Sequence, residues 1–152
     1  MLILLTSGCY SLRKKFTRQK KYQKEQPVYV GFKDYPNKPT KEAYLDYYLF
    51  VRGWMEDLID ALQKGTSLKR EKRAINEAIM NMEQIIGFFN QEGKEKVYPL
   101  YEDLLGFKKQ VDRNPNMNEV TRESLIREIE HFNRQFEAKY NFSDAQQYMD
   151  IQ

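Results

Sequence analysis

The sequence predicts an all-α fold: an antiparallel up-down four-helix bundle with an extended N-terminal arm. Four segments after residue 40 carry apolar residues three and four positions apart, which is the spacing of one face of a helix. The connections between them are short, and short connections favour antiparallel neighbours. No alternating strand pattern competes in this region. We therefore assign residues 40–152 to one helical bundle domain, and the total of 152 residues is the size of a single domain.

The first helix is predicted for about residues 41–64. Thr40 has the side chain of an N-cap, and Glu42 lies in the first turn, where acidic side chains are favourable. Gly65 is typical of a helix end. The predicted buried stripe consists of Tyr44, Tyr47, Tyr48, Val51, Trp54, Met55, Leu58, Ala61 and Leu62.

The second helix is predicted for about residues 68–90, ending before Gly93. Because proline lacks a backbone N–H, we expect Pro99 either in the first turn of the third helix or at a kink in it. The stripe of the second helix is Ile75, Ala78, Ile79, Met82, Ile85, Ile86 and Phe89. The stripe of the third is Val97, Leu100, Tyr101, Leu104, Phe107 and Val111.

The fourth helix is predicted for about residues 119–139, after a turn at residues 113–116. Beyond it, Ser143 followed three residues later by Gln146 matches a capping box. This spacing predicts a final short turn of helix that reaches about Met149. The stripe of the fourth helix is Leu125, Ile129, Phe132, Phe136 and Tyr140.

The first helix also has apolar side chains outside its stripe. At about 100 degrees per residue, Leu45 and Leu49 lie some 100 and 140 degrees away from Tyr44. The extended segment of residues 28–32 precedes this helix. We expect either this segment or a partner protein to cover the two leucines.

The composition limits the chemistry that the chain can perform. With 41% hydrophobic and 31% charged residues, it is too apolar for a disordered protein and too charged for a polytopic membrane protein. It contains one Cys and one His. These counts exclude an intramolecular disulfide, a Cys/His zinc cage and a two-histidine metal site.

The net charge of +3 is unevenly distributed along the chain. Residues 10–26 hold seven of the 25 basic residues and one of the 22 acidic residues, so this segment carries +6. The remaining 18 basic and 21 acidic residues give −3 to the rest. We interpret residues 9–39 as a basic tether and an extended lead-in. The basic residues are Arg13, Lys14, Lys15, Arg18, Lys20, Lys21 and Lys24.

The first nine residues form an apolar run that ends in small residues and the single cysteine. This run resembles a bacterial lipoprotein signal, in which a Leu, a small residue and a Gly or Ala precede a cysteine that is lipidated after cleavage. Ser7, Gly8 and Cys9 match that pattern, and Leu5 lies one place further from the cysteine than usual. The resemblance covers residues 1–9 and extends to no other part of the chain.

The resemblance implies that residues 1–8 are a signal and that Cys9 is the lipid-bearing N-terminus. It implies a place in the bacterial cell envelope, with the bundle on the periplasmic or outer side. Tyr10 in place of an aspartate resembles the outer-membrane sorting of some bacteria. A secretory signal normally starts with a charged region and has a longer apolar stretch, so we expect the upstream frame to encode further apolar residues and a Lys or Arg.

This interpretation makes the lipid bilayer a partner, through Cys9 and the basic tether, and assigns the bundle to a protein partner as an adaptor or scaffold. The alternative is a cytosolic nucleic-acid-binding protein with a basic N-terminal arm. In that case the same basic residues would neutralise phosphates, and Phe16 and Tyr22 would stack on bases. The two hypotheses use identical residues and differ in the compartment.

No residue pattern indicates an enzyme. Glu128 and His131 have the Glu-x-x-His spacing of diiron bundles, but such a site takes this motif twice, so a boundary ion pair is the simpler interpretation. The acidic cluster of Glu56, Asp57 and Asp60 has basic residues four positions away, which favours a salt-bridged surface. The glycines form no nucleotide-binding motif. We predict no catalytic residue, no metal site and no cofactor.

We predict that a His131→Ala variant keeps its fold and that metal ions do not shift its melting temperature relative to the parent chain. A ligand that binds only the native state would raise that temperature. Thermal unfolding with and without divalent metals, together with metal analysis of the purified protein, tests this. Stoichiometric metal that is lost in the variant would contradict it.

Overall fold

The computed structural model describes residues 40–65 and 67–149, and this part of the chain is helical. The all-α class predicted from the sequence is confirmed. The predicted signal, the basic tether and the extended segment at residues 28–32 lie outside the described residues. Within them, five α-helices precede a short 3₁₀ turn at Gln146–Tyr148. The helices are α1 (Lys41–Lys64), α2 (Leu68–Phe88), α3 (Gln91–Arg113), α4 (Glu119–Tyr140) and α5 (Phe142–Ala145).

Both predicted ends of α1 are confirmed. The Thr40 side chain accepts a hydrogen bond from the Ala43 N–H at 3.2 Å, which satisfies one of the free donors of the first turn. At the other end, Gly65 has a φ of 58° and its N–H bonds to the carbonyls of Ala61 and Leu62. This left-handed conformation is one that glycine adopts without strain, so the glycine ends the helix.

The boundary between α2 and α3 differs from the prediction. The second helix ends at Phe88, and Gly93 lies inside the first turn of α3 rather than beyond the end of α2. Asn90 causes this early start, because its side chain accepts from the Gly93 N–H at 2.9 Å. A Cβ at position 93 would lie 2.7 Å from the Tyr148 side chain and 2.9 Å from that of Phe89. The close approach of these two side chains therefore requires the glycine.

Pro99 lies nine residues into α3, so the first of its two expected positions, the first turn, is wrong. The helix continues through it to Arg113. Proline cannot donate to the carbonyl four residues earlier, which belongs to Glu95. Glu95 and Pro99 are both exposed, so water can reach the unbonded carbonyl. This exposure explains why the proline is tolerated.

The short helix after α4 forms as predicted, but its N-cap is Asn141 and not Ser143. The Asn141 side chain accepts from the Asp144 N–H at 3.1 Å and donates to the Asp144 carboxylate at 2.7 Å. This pair of bonds starts the helix two residues earlier than the capping box predicts. An isolated antiparallel bridge then joins Met149 to Phe89.

The core combines aliphatic side chains from α1, α2 and α3 with an aromatic cluster near the start of α1. Tyr44 is fully buried there, and its hydroxyl donates to the carbonyl of Tyr140 at 2.6 Å. The Tyr140 hydroxyl in turn donates to the carbonyl of Lys96 at 2.7 Å. These two bonds join α1, α4 and α3. The rings whose centroids lie within 6.5 Å of the Tyr44 ring belong to Tyr48, Phe88, Phe89 and Phe142.

Gly53, which lies within α1, and Gly65, which ends it, provide a matched test of these conformations. Gly65→Ala should lower the free energy of unfolding by about 1–2 kcal/mol, because an L side chain is strained in the left-handed region. Gly53→Ala should raise it by about 0.5–1 kcal/mol, because Gly53 lies within the helix and an added Cβ would meet nothing within 4 Å. Urea unfolding of both variants measures the difference, and effects of the same sign would contradict it.

Candidate functional site

The residues predicted to anchor the protein lie outside the described part of the chain. They are Cys9, Arg13, Lys14, Lys15, Arg18, Lys20, Lys21 and Lys24. Their lipid or nucleic-acid contacts therefore remain predictions. Among the helices that are described, none is both long enough and apolar enough to cross a membrane.

The acidic cluster on α1 is salt-bridged, as predicted. Asp60 pairs with Lys64 at 2.7 Å, and Glu56 lies 3.8 Å from Arg52. The hydrogen bond from Lys64 holds the pKa of Asp60 below its usual value. The sequence spacing missed Arg70 of α2, which binds Asp57 and also lies 2.9 Å from Asp60. These carboxylates therefore link two helices.

Glu128 and His131 line an open cleft of about 390 Å³ between α3 and α4. They do not form the predicted ion pair, because each has another partner. Glu128 accepts from Gln110 of α3 at 3.1 Å, and the His131 ring contacts the side-chain amide of Gln135. Among residues 40–65 and 67–149, no three His, Cys, Asp or Glu side chains are grouped as metal ligands would be.

A second cleft lies where the α1–α2 connection meets the α3–α4 connection, and we call it the loop-end cleft. Its volume is about 510 Å³. Both connections contribute backbone and side chains to its wall, and the first turns of α2 and α4 contribute one charged residue each. The lining residues are Gly65, Ser67, Leu68, Glu71, Pro115, Asn116, Met117 and Arg122.

Glu71 is the one charged residue buried within the described part of the chain, with 7% of its surface exposed. Its carboxylate has no hydrogen bond or ion pair to another residue of that part. Burial raises the pKa of the Glu71 carboxyl, and the positive charge of Arg122 offsets some of that rise. The loop-end cleft therefore contains a carboxyl group that accepts no hydrogen bond from residues 40–65 and 67–149.

Arg122 is the opposite charge in this cleft, and its guanidinium is incompletely satisfied by the described residues. Its Nη2 donates to the carbonyl of Met117 at 3.3 Å, while its buried Nε has no partner. A Cβ built on Gly65 would lie 2.9 Å from Nη1, so the guanidinium packs closely against the end of α1. Glu71 and Arg122 thus attract each other within one cleft without forming an ion pair.

The sequence itself indicates the burial of Glu71. Glu71 precedes Ile75, Ala78 and Met82 at intervals of four, seven and eleven residues, so it continues the buried stripe of α2. A carboxylate on that stripe has to be buried wherever the stripe is buried. Arg122 of α4 lies 51 positions away, and no local pattern relates the two residues.

The apolar surface of α1 corresponds only partly to the prediction. Leu45 is half-buried, whereas Leu49 is 55% exposed and the neighbouring Phe50 is 49% exposed. Residues 28–32, which were expected to cover the leucines, lie outside the described part. The other large apolar side chains that are exposed there are Met80, Tyr98, Leu105 and Val120.

Comparison with other proteins provides no relative for this chain. No protein-family model matches it, and no curated protein or solved structure is detectably similar to it.

The burial of Glu71 predicts an unusual pH dependence of stability. The pKa of Glu71 is raised in the folded state, so the folded chain retains a proton that the unfolded chain releases. Glu71 therefore destabilises the fold once the pH rises above the ordinary pKa of a glutamate. Glu71→Gln should therefore increase the free energy of unfolding at about pH 7 more than at about pH 4. Urea unfolding at both pH values measures this, with Glu77→Gln on the same helix as the control. An equal effect at both pH values would contradict the prediction.

Proposed function

We propose that this protein is a membrane-anchored lipoprotein of the bacterial envelope, in which the helical domain serves as a non-catalytic adaptor or scaffold. The observation that carries the proposal is the order of features at the N-terminus. An apolar run and two small residues precede the single cysteine, and a strongly basic segment follows. Lipid on Cys9 would hold the chain at the membrane surface, on the periplasmic or outer side, with the outer membrane favoured.

The basic segment strengthens such an anchor. A single acyl chain binds a membrane only marginally, whereas several chains, or one chain with a polybasic patch, hold firmly. Each basic residue near an anionic membrane surface contributes about 1 kcal/mol. The segment begins with Arg13, four residues after Cys9, and ends with Lys24, so its charges would lie near the headgroups.

We propose an up-down arrangement for the four long helices of the adaptor. The contacts that support it pair the beginning of one helix with the end of its neighbour. In α1 and α2, Tyr44 packs edge-on against Phe88, while Asp57 binds Arg70. The corresponding pairs are Lys72–Asp112 and Glu83–Tyr101 for α2 and α3, Lys96–Tyr140 and Gln110–Glu128 for α3 and α4, and Arg52–Glu137 and Tyr44–Tyr140 for α1 and α4.

The adaptor role is supported by the outer surface of α1. Leu49 and Phe50 expose about half of their surface in a helix that is otherwise well packed. Large apolar side chains on a folded surface favour contact with another protein. The proposal includes no catalytic residue, cofactor or metal.

Nucleic-acid binding is the alternative function, and it is favoured by one observation. Phe16 and Tyr22 are interleaved with the basic residues of the tether, as in segments that stack on bases while neutralising phosphates. This function requires the basic segment to be in the cytosol. The location of the protein therefore decides between the two.

A labelling experiment tests the anchor. The gene with its native upstream sequence is expressed in a bacterial host that is fed a clickable fatty acid. The wild-type chain should incorporate the label and fractionate with the membrane, because lipid is attached to Cys9. Cys9→Ser should abolish the label and the processing of the precursor.

A Ser7→Thr variant, which changes a small residue of the signal and keeps the cysteine, is the matched control and should still be labelled. An unlabelled wild-type chain in the cytosolic fraction would overturn the proposal. Retention of that chain on a nucleic-acid column at low salt, with release at high salt, would then support the alternative.

A further inference from the structure

The loop-end cleft contains two opposite charges that form no ion pair with each other. Glu71 is 7% exposed and has no hydrogen-bond partner among the described residues, and the Nε of Arg122 is buried without one. A buried donor without a partner, such as the Nε of Arg122, is costly, and the low exposure of Glu71 disfavours its charged form. A molecule that supplied a donor to Glu71 and an acceptor to Arg122 would remove both costs.

The two charges together select the class of molecule. A simple cation would be attracted by Glu71 but repelled by Arg122. A simple anion would be attracted by Arg122 but repelled by Glu71. A molecule that carries both charges avoids each repulsion. Its ammonium group would donate to the carboxylate, and its carboxylate would accept charge-assisted hydrogen bonds from the guanidinium.

The first turn of α2 provides further donors for a carboxylate. Ser67 is the N-cap of this helix, but its side chain caps no backbone N–H. Ser67 and Leu68 both line the loop-end cleft, so the uncapped end of the helix borders it. Backbone N–H groups at such an end favour negative charge. Together with Arg122, they define the side of the cleft that would hold the carboxylate.

The size and the apolar part of the cleft fit a small organic molecule. Its volume of about 510 Å³ lies within the range of small-molecule sites. Leu68, Pro115 and Met117 provide apolar wall beside the charged residues. A short aliphatic side chain could pack there while the charged groups of the same molecule contact Glu71 and Arg122.

From these observations we infer that the loop-end cleft binds a zwitterionic small molecule of the free α-amino-acid type. Glu71 receives its ammonium group, and Arg122 receives its carboxylate. The inference does not depend on the membrane anchor, because every residue that carries it lies in the helical domain.

Isothermal titration calorimetry of the full chain tests the inference with three probes of similar size. L-Alanine carries both charges, ethylammonium only the positive one and propionate only the negative one. L-Alanine should bind at least about tenfold more tightly than either single-charge probe, because only it satisfies both residues. Glu71→Gln and Arg122→Gln should each weaken L-alanine binding by about tenfold or more. Glu77→Gln removes a carboxylate from the same helix outside the cleft and should leave the affinity unchanged.

NMR of the unsubstituted protein keeps the test decisive if a variant does not fold. L-Alanine should shift the Nε–H resonance of Arg122 and the backbone amides of Ser67, Glu71 and Met117. Three results would overturn the inference: no binding of L-alanine, equal binding of ethylammonium or propionate, or binding that shifts resonances elsewhere in the chain and not these.

Discussion

The hydroxyl of Tyr44 is buried in the first turn of α1, where no water can satisfy it, and it therefore has to find an acceptor inside the protein. It donates to the carbonyl of Tyr140 at the end of α4, and Tyr140 donates onward to Lys96 of α3. Burial raises the pKa of Tyr44, so the phenol stays a donor. Because the bond is directional, it sets where α1, α3 and α4 meet, and the aromatic rings pack around that point.

The polar groups of the loop-end cleft are less completely hydrogen-bonded than those around Tyr44. The hydroxyls of Tyr44 and Tyr140 both have acceptors. In the loop-end cleft, by contrast, Glu71 accepts no hydrogen bond from another described residue, and the buried Nε of Arg122 has no partner there. An apolar residue at position 71 would suit the stripe of α2 better, since burial of an unpaired charge is unfavourable. Local instability of this kind is common where a protein binds a ligand, because the groups kept free for the ligand cannot also stabilise the fold. This contrast is why the cleft is the candidate site.

The sequence predicted those features that depend on neighbours in the chain. Thr40 and Gly65 bound α1 as expected, since an N-cap side chain and a left-handed glycine act within one turn. Two helix boundaries differ from the prediction, because in each case a nearby asparagine forms the cap. Asn90 displaced Gly93 as the boundary between α2 and α3, and Asn141 displaced Ser143. In both cases an asparagine side chain formed the capping bond, and the packing of Phe89 and Tyr148 on Gly93 came from elements distant in sequence.

By itself the sequence determined the helical class, the four apolar stripes and most helix boundaries, because helical periodicity and caps are properties of a few consecutive residues. It also determined the N-terminal features from which the envelope location is proposed. Only the tertiary structure decided which side chains meet across helices. Arg70 bridges to Asp57 and Asp60. Glu128 bonds to Gln110 and not to His131, and Glu71 lies in one cleft with Arg122. These pairs are separated by 10 to 51 positions, and which side chains meet across helices depends on how the stripes pack together.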